Sequence, residues 1–100
     1  MINMSNTNTR VYGGMFVFKH KTSDGNCNLS GRKICVLRKN MLGEISRMQL
    51  ADKMKLKGID MDKTAIRRIE NGERYITDIE LKMFCEIFRV SSNYFLGLNK

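Results

Sequence analysis

No apolar run in this sequence approaches the roughly 20 consecutive residues that a membrane-spanning helix needs. The longest candidate, Met15-Phe16-Val17-Phe18, is bounded by Gly13-Gly14 and Lys19-His20-Lys21, with no small-residue cleavage site behind a basic start. Neither an anchor nor a secretion signal is read, and a cytoplasmic location is expected. Cysteine and histidine are scarce as well. Cys27, Cys35 and Cys85 give no even disulfide framework and no Cys-x-x-Cys pair, and His20 is the single histidine. The usual ligand sets are therefore missing, and no metal or other cofactor is expected. Cys35 and Cys85 stand among apolar neighbours in helical patterns and read as reduced core thiols. An enzyme built on Cys27 or Cys35 with His20 would lack both a partner acid and an oxyanion motif, so no catalytic residue is assigned and no small-molecule substrate is evident.

What the chain does have is positive charge. Its 100 residues, 42% of them hydrophobic, suffice for one domain with a single small core, and the net charge is +8. Residues 31–68 hold eleven basic and four acidic side chains, whereas residues 69–100 hold four and five. A basic surface concentrated in one segment suits a polyanionic partner that releases counterions on binding. The bland alternative is a solvated basic face without a partner.

Residues 1–30 are rich in Asn, Ser, Thr and Gly, contain one β-prone run at Met15–Phe18, and end in Asp24-Gly25-Asn26. This composition predicts a flexible amino-terminal arm, probed for a role on DNA backbone or minor groove but more simply a tail. From Ser30 the pattern is helical and predicts five short helices without a sheet over residues 31–100. Ser30 offers a cap for the first, which carries Ile34, Leu37 and Met41 on one side and stops at Leu42-Gly43-Glu44. Ser46 with Gln49 forms a capping box for the second, with Leu50, Ala51, Met54 and Leu56 as its apolar contacts and Gly58 as its end. Met41, Met48 and Met54 read as adaptable core. Thr77 with Glu80 caps a fourth helix striped by Leu81, Phe84, Cys85 and Phe88, and Ser91 caps a last one holding Tyr94, Phe95, Leu96 and Leu98. That last apolar set exceeds what so short a helix covers, so part of it closes the core or meets another subunit.

Between these lies residues 62–78. Asp62 is placed to cap, Ile66 and Ile69 share one face, and Asn71-Gly72 supplies the stop. A helix of about two to three turns is too short to hold by propensity and must rest on a core through Ile66 and Ile69. Its other face carries Lys63, Thr64, Arg67 and Arg68, residue types suited to phosphates and to guanine edges in a major groove. Lys63 at a helix start opposes the helix dipole, which favours an external anion there.

The sequence resembles the phage-repressor and Cro type of helix-turn-helix regulators. The resemblance is carried by Leu37-Arg38-Lys39, by Ser46 followed by Leu50-Ala51, by Ile66 and Ile69-Glu70-Asn71-Gly72, by Thr77-Asp78 with Leu81, and by Val90-Ser91 with Tyr94-Phe95-Leu96, and it covers residues 31–98. It implies an all-α, five-helix repressor-like DNA-binding domain preceded by the arm. It implies base contacts from Lys63, Thr64, Arg67 and Arg68, and backbone contacts from Ser46, Arg47, Asn71, Arg74 and Tyr75. It also implies a structural ion pair between Arg38 and Glu70. Arg47 stands where the family usually has Gln, which favours salt-sensitive phosphate contact over an amide-read base. Ala51 to Ile66 spans 15 positions, against about ten in the family's usual turn. The expectation is a sequence-specific transcriptional regulator, a repressor by family habit, that binds double-stranded DNA as a homodimer through its C-terminal helix. The alternative is an antitoxin-like or regulatory protein-interaction module on the same fold.

Overall fold

Five short helices make up all the regular secondary structure among the described residues, 21–41 and 43–98 of a computed structural model. They are α1 (Gly31–Asn40), α2 (Arg47–Leu56), α3 (Lys63–Glu70), α4 (Asp78–Phe88) and α5 (Ser92–Leu96). The expected all-α class and helix count hold. The part of the arm before Lys21, including Met15–Phe18 and His20, lies outside the described residues, as do Leu42, Asn99 and Lys100.

Local chemistry sets the helix starts. Both capping boxes form: Ser46 Oγ accepts from Gln49 N at 3.0 Å while Gln49 Oε1 accepts from Ser46 N at 2.7 Å, and Thr77 and Glu80 repeat the exchange at 3.1 and 3.0 Å. Asp62 Oδ1 accepts from Ala65 N at 2.8 Å, and Ser91 Oγ from Tyr94 N at 3.1 Å. Ser30 departs from expectation. It occupies the cap position of α1 but makes no capping bond; its hydroxyl donates instead to the Phe95 carbonyl at 3.0 Å. The capping work passes to Asn28, whose Oδ1 accepts from Ser30 N at 3.0 Å and Gly31 N at 2.6 Å.

The core draws one or more side chains from every helix: Ile34, then Leu50, Ala51 and Met54, then Ile66 and Ile69, then Phe84, then Phe95. Full burial of each larger one contributes on the order of 1.5–3 kcal/mol. The long connection between α2 and α3 is part of this core. Gly58 N and Ile59 N bond back to Lys55 O and Met54 O at 2.9 and 3.0 Å, a Schellman closure, and Met61 is then only 3% exposed. The added residues thus supply a core side chain.

Two apolar assignments need correction. Leu56 is 88% exposed. It lies six positions after Leu50, about 240° further round a helix with 3.6 residues per turn, and so cannot share the Leu50/Ala51/Met54 face. Met48, expected in the core, is 55% exposed because it precedes that face by half a turn. Among the terminal apolar residues, Phe95 is fully buried against Phe88 (ring centroids 6.4 Å apart), while Tyr94, Leu96 and Leu98 stay at the surface.

Candidate nucleic-acid interface

α3 rests on the core exactly where its sequence is apolar and offers solvent a separate face. Ile66 and Ile69 are wholly buried; Lys63, Thr64, Arg67 and Arg68 are all exposed. Lys63, Thr64 and Arg68 have no side-chain hydrogen bond or ion pair among the described residues. Arg67 Nη1 stands 3.8 Å from Glu73 Oε1, both half-exposed, a long contact that solvent screens. The four residues singled out in the sequence therefore share one surface, three of them without a competing partner in the fold.

Glu70, the last residue of α3, turns inward. Its Oε2 accepts from Arg38 Nε at 2.6 Å, and its Oε1 accepts from Arg38 Nη2 at 3.2 Å and from Arg47 Nε at 3.0 Å. The Glu70 side chain is 1% exposed and that of Arg38 9%, against 38% for Arg47. Arg38 also donates to the Ile45 carbonyl at 3.1 Å. Burial pushes the Glu70 carboxyl up, but the bonds from Arg38 and Arg47 outweigh it and hold Glu70 below the ordinary glutamate range. The same bond raises Arg38. The Arg38–Glu70 pair is thus present and ties α1 to α3; Arg47, beside Ser46 at the start of α2, is a third member that the sequence did not reveal.

The turn after α3 is held more firmly than its sequence suggests. Asn71 and Tyr75 are exposed. Arg74, expected to reach a phosphate, is committed elsewhere: its Nη1 and Nη2 bond Glu80 Oε1 and Oε2 at 3.0 and 3.1 Å, and Nη1 also donates to the Tyr75 carbonyl at 3.0 Å. Burial raises the Glu80 carboxyl, the Arg74 and Thr77 bonds lower it, and it ends below its ordinary range. Arg74 thereby staples the turn to α4. Glu80 is fixed for this bidentate contact as the second half of the Thr77 capping box, and the Arg74 side chain stays 30% exposed.

Residues 21–28, assigned to the arm, contribute directly to this region. Thr22 to Asn26 close a tight turn, with Gly25 N to Thr22 O at 2.9 Å and Thr22 bonded to Asp24. Cys27 N then donates to Gly72 O at 2.8 Å, and Asn28 Nδ2 to Ile69 O at 3.1 Å and Arg74 O at 2.8 Å. Sequence reading missed Asn28; its position three residues before Gly31 was the available signal, since an Asn side chain there can reach the first free N–H groups of α1. An open groove of about 880 Å³ lies between this turn, α1 and the end of α3, with Arg32, Val36, Lys39 and Asn71 among its walls. Among the described residues no three His, Cys, Asp or Glu side chains converge as a metal site requires, and no helix is long and apolar enough to cross a membrane. Compared with protein-family models, curated proteins and solved structures, the chain matches none of them.

Proposed function

We propose that this chain is a non-enzymatic, sequence-specific DNA-binding regulator of transcription in which α2 and α3 act as a helix-turn-helix and α3 enters the major groove. The observation that carries the reading is the exposed face of α3. Lys63, Thr64, Arg67 and Arg68 form a cationic, hydrogen-bonding surface on a helix whose opposite face is locked by Ile66, Ile69 and Glu70. Arg is the residue best shaped for the guanine O6/N7 edge, and a rigid two-turn helix presents it at little entropic cost. Ser46, Arg47, Asn71 and Tyr75 flank that face and supply phosphate contacts, which fix register without reading sequence. A single such helix reads few base pairs, so the working unit is a homodimer on a two-fold site with half-sites about 34 Å apart.

Selection of binders from a random duplex pool at moderate salt tests this. The wild-type chain is expected to enrich a two-fold-symmetric motif that a Lys63/Arg67/Arg68→Ala variant, still folded by circular dichroism, does not enrich. Recovery of no motif by the wild type, or equal retention of the same DNA by both proteins, removes the reading.

One observation favours a second reading, a protein-interaction module. Tyr94, Leu96 and Leu98 remain exposed at the C-terminal end, with Leu29 close by through Ser30. Salt separates the two: DNA binding weakens steeply as salt rises, whereas an apolar helix interface hardly responds.

A further inference from the structure

Glu70 serves two arginines, and they are not in equivalent positions. Arg38 is engaged at all three nitrogens: Nε and Nη2 bond Glu70, Nη2 also reaches Cys35 Sγ at 3.9 Å, Nη1 bonds the Ile45 carbonyl, and the side chain is 9% exposed. Arg47 gives Glu70 only its Nε, at 3.0 Å. Its two terminal nitrogens have no partner among the described residues, and no other carboxylate of these residues lies within 4 Å of it. Two guanidinium groups on one carboxylate leave one positive charge unbalanced, and the exposed member carries it.

We propose that Glu70 is a positioning residue for DNA binding: it pins Arg47 through Nε so that the free edge of that guanidinium forms a fixed clamp for one backbone phosphate beside α3. The inference rests on the DNA-binding reading and assigns a role within it. A free arginine loses much of its rotamer freedom when it takes a phosphate. Here the carboxylate has already restricted the side chain in the unbound protein, and the two unpartnered amino groups are the pair needed for a bidentate phosphate contact. The location supports an external anion: Arg47 is the first residue of α2, where a cation opposes the helix dipole and contributes nothing favourable to the helix itself. A lysine at this position would carry the same charge but, donating from a single nitrogen, would offer no planar two-donor edge to a phosphate while bonded to Glu70.

The test uses the full chain and the duplex recovered by selection, with affinity followed across a salt series for the wild type, Arg47→Ala, Arg47→Lys, Glu70→Gln and the Arg47→Ala/Glu70→Gln double variant. Arg47→Ala is expected to weaken binding on the order of tenfold or more and to reduce the slope of log affinity against log salt by about one phosphate's worth. Arg47→Lys is expected to keep the slope and lose most of the affinity. Glu70→Gln is expected to weaken binding in the wild-type background and to add nothing to Arg47→Ala. In the free protein, the Arg47 Nε–H should give a resolved, slowly exchanging NMR signal at neutral pH. Wild-type affinity in Arg47→Lys, an equal Glu70→Gln loss with and without Arg47, or a fast-exchanging Nε–H would overturn the proposal while leaving the DNA reading intact. If the wild type holds no duplex at all, both fall together. Should Glu70→Gln fail to fold, the Arg47→Lys and exchange measurements decide alone.

Discussion

At Glu70 a carboxylate with a 1% exposed side chain takes three charge-assisted hydrogen bonds from guanidinium groups of two other helices. Removing one partner of such a buried pair leaves an uncompensated charge and costs about 3–5 kcal/mol. Glu70→Gln is accordingly expected to lower the unfolding free energy obtained from urea titration at pH 7 by an amount of that order. The carboxyl titrates below its value in an unfolded chain, about 4.3, so the stabilisation is complete above that value and is lost as pH falls through the folded-state value. Glu80, held by Arg74, has the same direction. The thermal midpoint of the wild type is therefore expected to be flat from pH 7 to about pH 5 and to drop below it, and Glu70→Gln should flatten that acid limb. An unchanged acid limb in the variant would assign the titration to other carboxylates. The exposed Arg67–Glu73 contact, at 3.8 Å, belongs to a different class. Pairs of this kind contribute about 0–1 kcal/mol, so Glu73 presents little competition to a phosphate or base for Arg67.

Where elements meet, the tightest approach is between α1 and α3. Gly31 faces the Ile69 carbonyl so closely that an added Cβ would overlap that oxygen, and it would also lie only 3.0 Å from Asn28 Oδ1. In an open helix, replacing Gly with Ala gains about 0.5–1 kcal/mol. Here the obstacle is backbone, so the sign reverses. Gly31→Ala is expected to destabilise by about 1–3 kcal/mol, a fall in thermal midpoint of about 4–8 °C per kcal/mol; a higher midpoint would show that the helices separate freely. Neither this packing nor the Asn28 bonds to the Ile69 and Arg74 carbonyls could be read from sequence, because they join residues some 40 positions apart. The helix starts at Ser46, Asp62, Thr77 and Ser91 could, because each cap acts within three residues. The α3 surface was legible for a related reason: with Ile66 and Ile69 assigned inward, 3.6-residue periodicity leaves Lys63, Thr64, Arg67 and Arg68 outward. The same periodicity turns Leu56 about 240° away from Leu50, so its apolar character alone is a misleading guide to the core. The Arg74–Glu80 bond is not legible in the sequence, because Glu80 already has a local role there as half of a capping box.

For the molecule as a unit, three exposed apolar residues, Tyr94, Leu96 and Leu98, fall together at the C-terminal end, while others such as Leu56 and Ile79 lie on other helices, and the basic face of α3 is a separate feature. Tyr94, Leu96 and Leu98, with Leu29 beside Ser30, are too few to form alone the roughly 800 Å² per partner of a standard interface. Under the proposed function they would only seed an interface, which DNA would complete by holding two copies in register. Sedimentation is expected to show a weak, concentration-dependent dimer in the free wild type, and Leu96→Glu/Leu98→Glu should yield a monomer that still binds a half-site weakly. A strictly monomeric wild type with full affinity for a two-fold site would argue against this surface. The cluster uniting α1, α2 and α3 also constrains how this sequence can drift. As far as folding is concerned Arg47 can change first, because Arg38 still neutralises Glu70. Glu70 cannot change first without stranding two cations, one of them buried, and Arg38 and Glu70 can only be exchanged together. Substitutions here are therefore epistatic and ordered: folding leaves the position at the start of α2 free to vary, so that only binding would hold an arginine there, while the pair beneath it behaves as one heritable unit.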